Sequence, residues 1–288
     1  MRSWVLLARL GTLLAAVVCC VVTPEARGYL IGIHDDTGTL YSISTADAAA
    51  TPVGNTGIGR VGSLEFSPSD GLLYGFTHGV HAVLYSFDPV TAAATTIGPL
   101  NLGTEVFEGG LAFSPDGTVY GVNGGAAADA LLFRLDTGTG QATVVGALTG
   151  GRHDIGGLAW RGGLEDGTLV ALDRVTASLL LIDPFTGGTT LLAELSEDIQ
   201  AGVISGMALA DAGPRRSSAV GYFSTAAATG TNALYSFDPY TGQHALIGEF
   251  DPNVIGGAGL GGLAFIPEPA SSLLLAAGTL ALLYRRRR

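Results

Sequence analysis

EGGLAFSPDGTVYGV, running from Glu108 to Val122, and LFRLDTGTGQATVVG, running from Leu132 to Gly146, decide how this chain must be read. Together they hold four short apolar runs, GLAF, TVYGV, LLFRLD and ATVVG, of strand rather than helix length. The text between the runs is turn chemistry. In Ser114-Pro115-Asp116-Gly117 the proline presets φ at the second turn position, and glycine accepts the positive φ that follows. Four strands joined by tight turns predict an antiparallel sheet with no room for a crossover helix.

The same text recurs along the chain. Its second half returns as LYSISTADAAATPVG from Leu40, LYSFDPVTAAATTIG from Leu84, LLLIDPFTGGTTLLA from Leu179 and LYSFDPYTGQHALIG from Leu234. Its first half returns as VGSLEFSPSDGLLYGF from Val61, IGGLAWRGGLEDGTLVAL from Ile155 and a degenerate ISGMALADAGPRRSSAVGYF from Ile204. A period of about 47 residues with four antiparallel strands per unit predicts the blades of a β-propeller. The first unit lacks its opening strand, whereas Gly261-Gly262-Leu263-Ala264-Phe265 supplies one more at the far end. Pairing the two closes a ring of five blades over residues 28–266 and removes two exposed sheet edges. A parallel β-solenoid is the alternative architecture, but its coils are shorter and it needs no complementary strand at the end.

Beyond the repeats, the two ends read as export signals. Arg2 and Arg9 followed by the apolar run Leu10 to Val22 have the form of a secretory signal, giving 1–27 as a signal peptide. Cys19 and Cys20 fall within it and are the only cysteines, so the processed chain has no thiol for a disulfide or a thiolate site. A lipoprotein role for either cysteine is the alternative. At the other end, Pro267-Glu268-Pro269 precedes an apolar stretch from Ala270 to Tyr284 and then Arg285, Arg286, Arg287 and Arg288. As a helix that stretch reaches only about 22 Å, short for a stable anchor. The arginines would stay on the cytoplasmic side and leave the main domain outside.

This tripartite tail, residues 267–288, resembles the PEP-CTERM sorting signal of bacterial proteins processed by exosortase. The resemblance implies an exosortase-type membrane protease as partner, a transient inner-membrane stage, and delivery to the cell surface or an extracellular exopolysaccharide matrix. An ordinary C-terminal membrane anchor is the plainer alternative. The GLAFSPDG and LYSFDPxTG repeats likewise resemble those of secreted proteins carrying such tails, which are propeller-like and mostly of unassigned function.

Charge narrows the partners further. Residues 28–266 carry 23 acidic residues against 7 arginines, and the whole chain contains no lysine. A domain near −16 repels nucleic acid and anionic membrane surfaces.

With this strand order the turns of the SPDG and DPxTG kind share one face of the disc. The opposite face collects His34, Asp35, Asp36, His78, His81, Asn123, Asp129, Arg152, His153, Asp154, Asp173 and Arg174. Four of the five histidines fall there, and by analogy with other propellers the mouth of the ring's channel on that face is the candidate ligand surface. His78 and His81 could offer two imidazoles to a metal, and Asp35-Asp36 beside a glycine could hold Ca²⁺, although solvated loops and Asx turns account for both. The metal is left unknown, and no cofactor is required. Glu105 and Glu108 could form an acid pair for glycoside chemistry, and His244 is read as a packed strand residue. No GxSxG elbow, phosphate-cradling loop with lysine or HExxH motif is present. The leading expectation is therefore a non-enzymatic binding or structural protein. The competing one is an extracellular Ca²⁺-type hydrolase or lyase with its site at the channel mouth.

Overall fold

The computed structural model describes residues 28–124, 129–151, 154–162, 167–196, 199, 204–210, 219–225, 232–256 and 259–268. The expected signal peptide with Cys19 and Cys20, Arg152, His153, Pro269 and the terminal arginines lie outside the described residues.

Twenty strands form five antiparallel four-stranded sheets, and no helix occurs among the described residues. Blade I comprises β1 (Gly28–His34), β2 (Thr39–Ile43) and β3 (Ala50–Asn55), completed by β20 (Leu260–Pro267) from the far end of the chain. Blade II is β4 (Glu65–Phe66), β5 (Leu73–Phe76), β6 (Val83–Phe87) and β7 (Ala94–Pro99). Blade III is β8 (Glu108–Phe113), β9 (Val119–Gly124), β10 (Leu131–Leu135) and β11 (Ala142–Ala147). Blade IV is β12 (Ile155–Arg161), β13 (Thr168–Asp173), β14 (Ser178–Ile182) and β15 (Thr189–Glu194). Blade V is β16 (Ile204–Ala210), β17 (Val220–Thr225), β18 (Ala233–Phe237) and β19 (His244–Glu249).

The chain is thus a five-bladed β-propeller, closed as its terminal strands predict. Gly28 pairs with Pro267 and Ile33 with Gly262, so the last strand becomes the inner strand of the first blade. The order around the axis is β20, β4, β8, β12 and β16.

Alternation along the inner strands builds the interfaces between blades. Leu64, Leu111, Leu158, Met207 and Leu263 point to the preceding blade, and the next residue points to the following one. That next residue is alanine in four blades, Ala112, Ala159, Ala208 and Ala264, at most 1% exposed. In blade II it is Glu65. Aromatic and branched side chains of the second and third strands fill the remaining space; Phe76, Phe87, Phe133 and Phe223 are fully buried.

The outer strands read as half-exposed because each carries a bulge at the same place. Between Leu40 and Tyr41, Leu84 and Tyr85, Leu132 and Phe133, Leu179 and Leu180, and Leu234 and Tyr235 the register slips by one. The extra residue on the outer strand is Val53, Ile97, Val145, Leu192 or Ile247, and each packs inward on an interblade cluster.

Turns that open on aspartate join the third and fourth strands in blades II to V, reading Asp-Pro-x-Thr-Gly in full in blades IV and V. Asp88 Oδ1 accepts the Val90 and Thr91 N–H groups at 2.8 and 2.9 Å, and Asp136, Asp183 and Asp238 repeat the arrangement. This is the structural role expected of these aspartates. The turn ends on glycine in blades III to V, and Gly140, at φ 81°, shows the reason there: a Cβ would lie 2.4 Å from Gly98 O of the neighbouring blade, whereas blades I and II hold Ala48 and Ala92 at φ 60° and 61°.

Candidate functional site

The inner strands all run from one face of the disc to the other, beginning beside the long connections and ending at the tight turns. The side chains gathered at the start of the inner strands and the end of the second strands define the mouth. There His34 ends β1, Asp35 follows it, His78 follows β5, Glu108 opens β8, Asp154 precedes β12 and Arg174 follows β13.

Backbone hydrogen bonds hold these groups in register across blades. The Arg60 N–H donates to Asp35 O at 2.5 Å, and Arg60 O accepts the His78 N–H at 2.9 Å. Arg60, at φ 58°, is a non-glycine residue in the left-handed region, which costs about 1 kcal/mol. In blade IV the Arg174 N–H donates to Asp154 O at 2.9 Å.

Arg174 is the electrostatic centre. Its guanidinium pairs with Glu108 through one terminal nitrogen, and its Nε lies 3.8 Å from Asp154 Oδ2. Burial pulls the Arg174 pKa below its ordinary value, and the Asp35 carboxylate acts in the opposite sense. Asp35 is pushed up by burial and by Asp36, against the pull of Arg60, His34 and Arg174. His78 Nε2 stands 3.6 Å from Asp35 Oδ1, with its side chain 5% exposed. That contact is no ion pair at neutral pH, because burial and the Arg60 and Arg174 charges hold the imidazole pKa near about 4. The neutral ring stacks against Phe107, 47% exposed, at 6.4 Å between centroids.

Below the mouth the axis is sealed. Ser63, Gly110, Gly157, Gly206 and Gly262 converge on it and leave no room for a water molecule. Glycine is required by contact: a Cβ on Gly110 would come within 2.2 Å of Leu158 N. The expected channel is therefore corrected to a mouth with a backbone floor, since five inner strands pack too tightly to leave a lumen.

Several other expectations are also revised. His78 and His81 do not converge, because His78 turns inward while His81 is exposed. Among the described residues no group of three or more His, Cys, Asp or Glu side chains is placed to hold a metal. Asp36 and Asp129 are exposed. Asp173 Oδ1 accepts the Val175 and Thr176 N–H groups, and Asn123 ties Glu105 O to the Leu131 N–H, so both brace loops. Glu105 is exposed whereas Glu108 is engaged by Arg174, so the two are no acid pair. His244 is half-buried and, as expected, packs its ring on the buried Phe223 at 6.4 Å between centroids, while Nε2 also accepts the Ser196 N–H at 3.1 Å and Nδ1 lies 3.2 Å from Gly242 O.

Among the described residues the mouth offers fixed charges and hydrogen-bonding groups beside an exposed aromatic ring. That chemistry suits recognition of a polar, hydroxyl-rich or charged surface. Sequence reading missed the Arg174–Glu108 pair and the place of Phe107, because each joins residues from different strands or blades.

Fold and mouth together define a five-bladed β-propeller with a closed axis. No protein-family model matches the sequence, and no curated protein matches it. Among solved structures, a protein of unknown function from Bacteroides thetaiotaomicron is similar over 78% of this chain, with TM-score 0.51 and 15% identity. This chain covers 58% of that protein, less than two thirds of its length. A chain in the crystal structure of a nidogen/laminin complex is similar over 83% of this chain and 98% of its own, with TM-score 0.53 and 12% identity. At these identities the likeness shows the fold alone.

Proposed function

We propose that the chain is an exported cell-surface or extracellular-matrix protein, processed at its C-terminal tail by an exosortase-type protease, whose ring binds a partner and catalyses no reaction. Sorting is supported by the Pro267-Glu268-Pro269, apolar and arginine segments of the tail. The observation that carries the binding reading is the mouth itself. Its Glu108 carboxylate is matched to Arg174, its His78 imidazole is neutral, and its floor is backbone, so it forms a platform rather than a reaction chamber.

The partner class that fits is the producing organism's exopolysaccharide. Aromatic rings such as Phe107 cover apolar sugar faces, and paired charges meet hydroxyls around them. Residues 28–268 immobilised on a column should retain that matrix, and Phe107→Ala should weaken retention without changing thermal stability. Passage of the matrix without retardation would sink the binding reading. For sorting, deleting residues 269–288 leaves β20 intact and should release the ring into the medium. Cell-bound protein after that deletion would sink the tail reading.

A further inference from the structure

The two ends of the ring leave from the same face, close to the axis. Gly28 opens β1 and pairs with Pro267, which closes β20. Because inner strands run from mouth to turns, both residues stand at the turn face, where other blades close with Ser67–Gly71 or Ser114–Gly117. Blade I has the two chain ends in place of that turn.

Little chain separates this exit from the apolar stretch of the tail. Glu268 is exposed, and only Glu268 and Pro269 stand between Pro267 and Ala270. Three residue steps span about 10 Å at full extension. Proline at both sides of Glu268 stiffens that step. A ring tethered beside its own axis by so short a link cannot turn over.

We infer that, while the tail anchors the chain, the turn face is pressed against the lipid bilayer and the mouth points away from it. This rests on the sorting reading given above. The turn face carries apolar tips suited to the headgroup boundary, Val90 and Phe185, 76% and 71% exposed, each the residue after Asp-Pro in its turn. The face is also acidic, with Asp70 and Asp116 beside Asp88, Asp136, Asp183 and Asp238. Such a face is repelled by anionic lipid, so the apposition is imposed by the tether rather than by affinity. Cleavage of the tail consequently frees the ring from the surface.

The full chain tests this directly, with Cys19→Ser and Cys20→Ser removing its two native thiols. Single substitutions Val90→Cys and Phe185→Cys mark the turn face, and Val80→Cys and Val175→Cys mark the mouth face. All four positions are more than half exposed, so folding is undisturbed. The chain is expressed in a host lacking exosortase, spheroplasts are treated with a bulky polyethylene-glycol maleimide, and rates are normalised to urea-unfolded chain. Turn-face thiols are expected to react several-fold more slowly than mouth-face thiols. Equal rates, or slower mouth labelling, in chain that sediments with the membrane overturn the orientation alone. Uncut chain found entirely in the soluble fraction overturns the anchoring reading, and the orientation with it.

Discussion

Replacing Glu65 by glutamine is expected to stabilise the ring at neutral pH, by an amount that grows as pH rises. Four blades place a buried alanine where blade II places Glu65. Strand alternation puts this position on the side of blade III, its cross-strand partner Tyr74 packs with Phe76 and Leu111 there, and the Phe66 N–H donates to the carboxyl at 3.3 Å. Burial pushes its pKa well above the ordinary carboxylate value, and that hydrogen bond pulls the other way only weakly. The native state therefore binds the proton more tightly than the unfolded chain, so stability falls as pH rises above the unfolded carboxyl's value of about 4.3. Glu65 keeps partial contact with solvent, which places the expected gain at about 1–3 kcal/mol. Glutamine keeps the shape and removes the titration, whereas alanine would also leave a void at about 24 cal/mol per Å³. Urea unfolding of residues 28–268 near pH 4.5 and near pH 8 reads the difference. A gap between variant and wild type that is the same at both pH values would refute the reasoning, as would a variant less stable near pH 8.

Three further outcomes follow from the site and the ring. His78, held near about 4 against 6.5 unfolded, makes stability fall as pH drops from 6.5 through 4, by about 2 kcal/mol between pH 8 and pH 5. His78→Gln should flatten that acid limb in thermal melts, and an unchanged limb would place the lability elsewhere. Gly110→Ala puts a methyl 2.2 Å from Leu158 N on the axis and should cost about 3 kcal/mol or more. Gly117→Ala, at φ 85° with open space around it, should cost only about 1 kcal/mol, so equal losses in urea titrations would contradict the sealed axis. Ending the chain before Leu260 strips β1 of its inner partner, and single-transition unfolding in calorimetry should be lost.

The ring was legible because its determinants are local and repeated. Turn text such as Asp238-Pro239-Tyr240-Thr241-Gly242 names its own conformation, and the missing and surplus strands state the closure. The mouth was legible only as a list. Strand order alone carried His34, Asp35, His78, Asp154 and Arg174 to one face, but it did not say that Arg174 would reach Glu108 or that His78 would stack on Phe107. Those contacts depend on interblade packing, which no local text encodes. The sealed axis depends on interblade distance, to which the repeated Gly-Gly of the inner strands points only after the ring is known. Sequence reading passed over Glu65, because its departure from alanine carries meaning only once Ala112, Ala159, Ala208 and Ala264 are known to be buried.

Closure by β20 has a temporal consequence. The partner of the first strand is the last strand of the ring to leave the ribosome, so three strands of blade I stand open-edged until then. The ring cannot lock while any part of Leu260–Pro267 is still to be made. The final rung of the ladder thereby acts as a clock for maturation, since the folded disc and the emergence of its last eight residues arrive together.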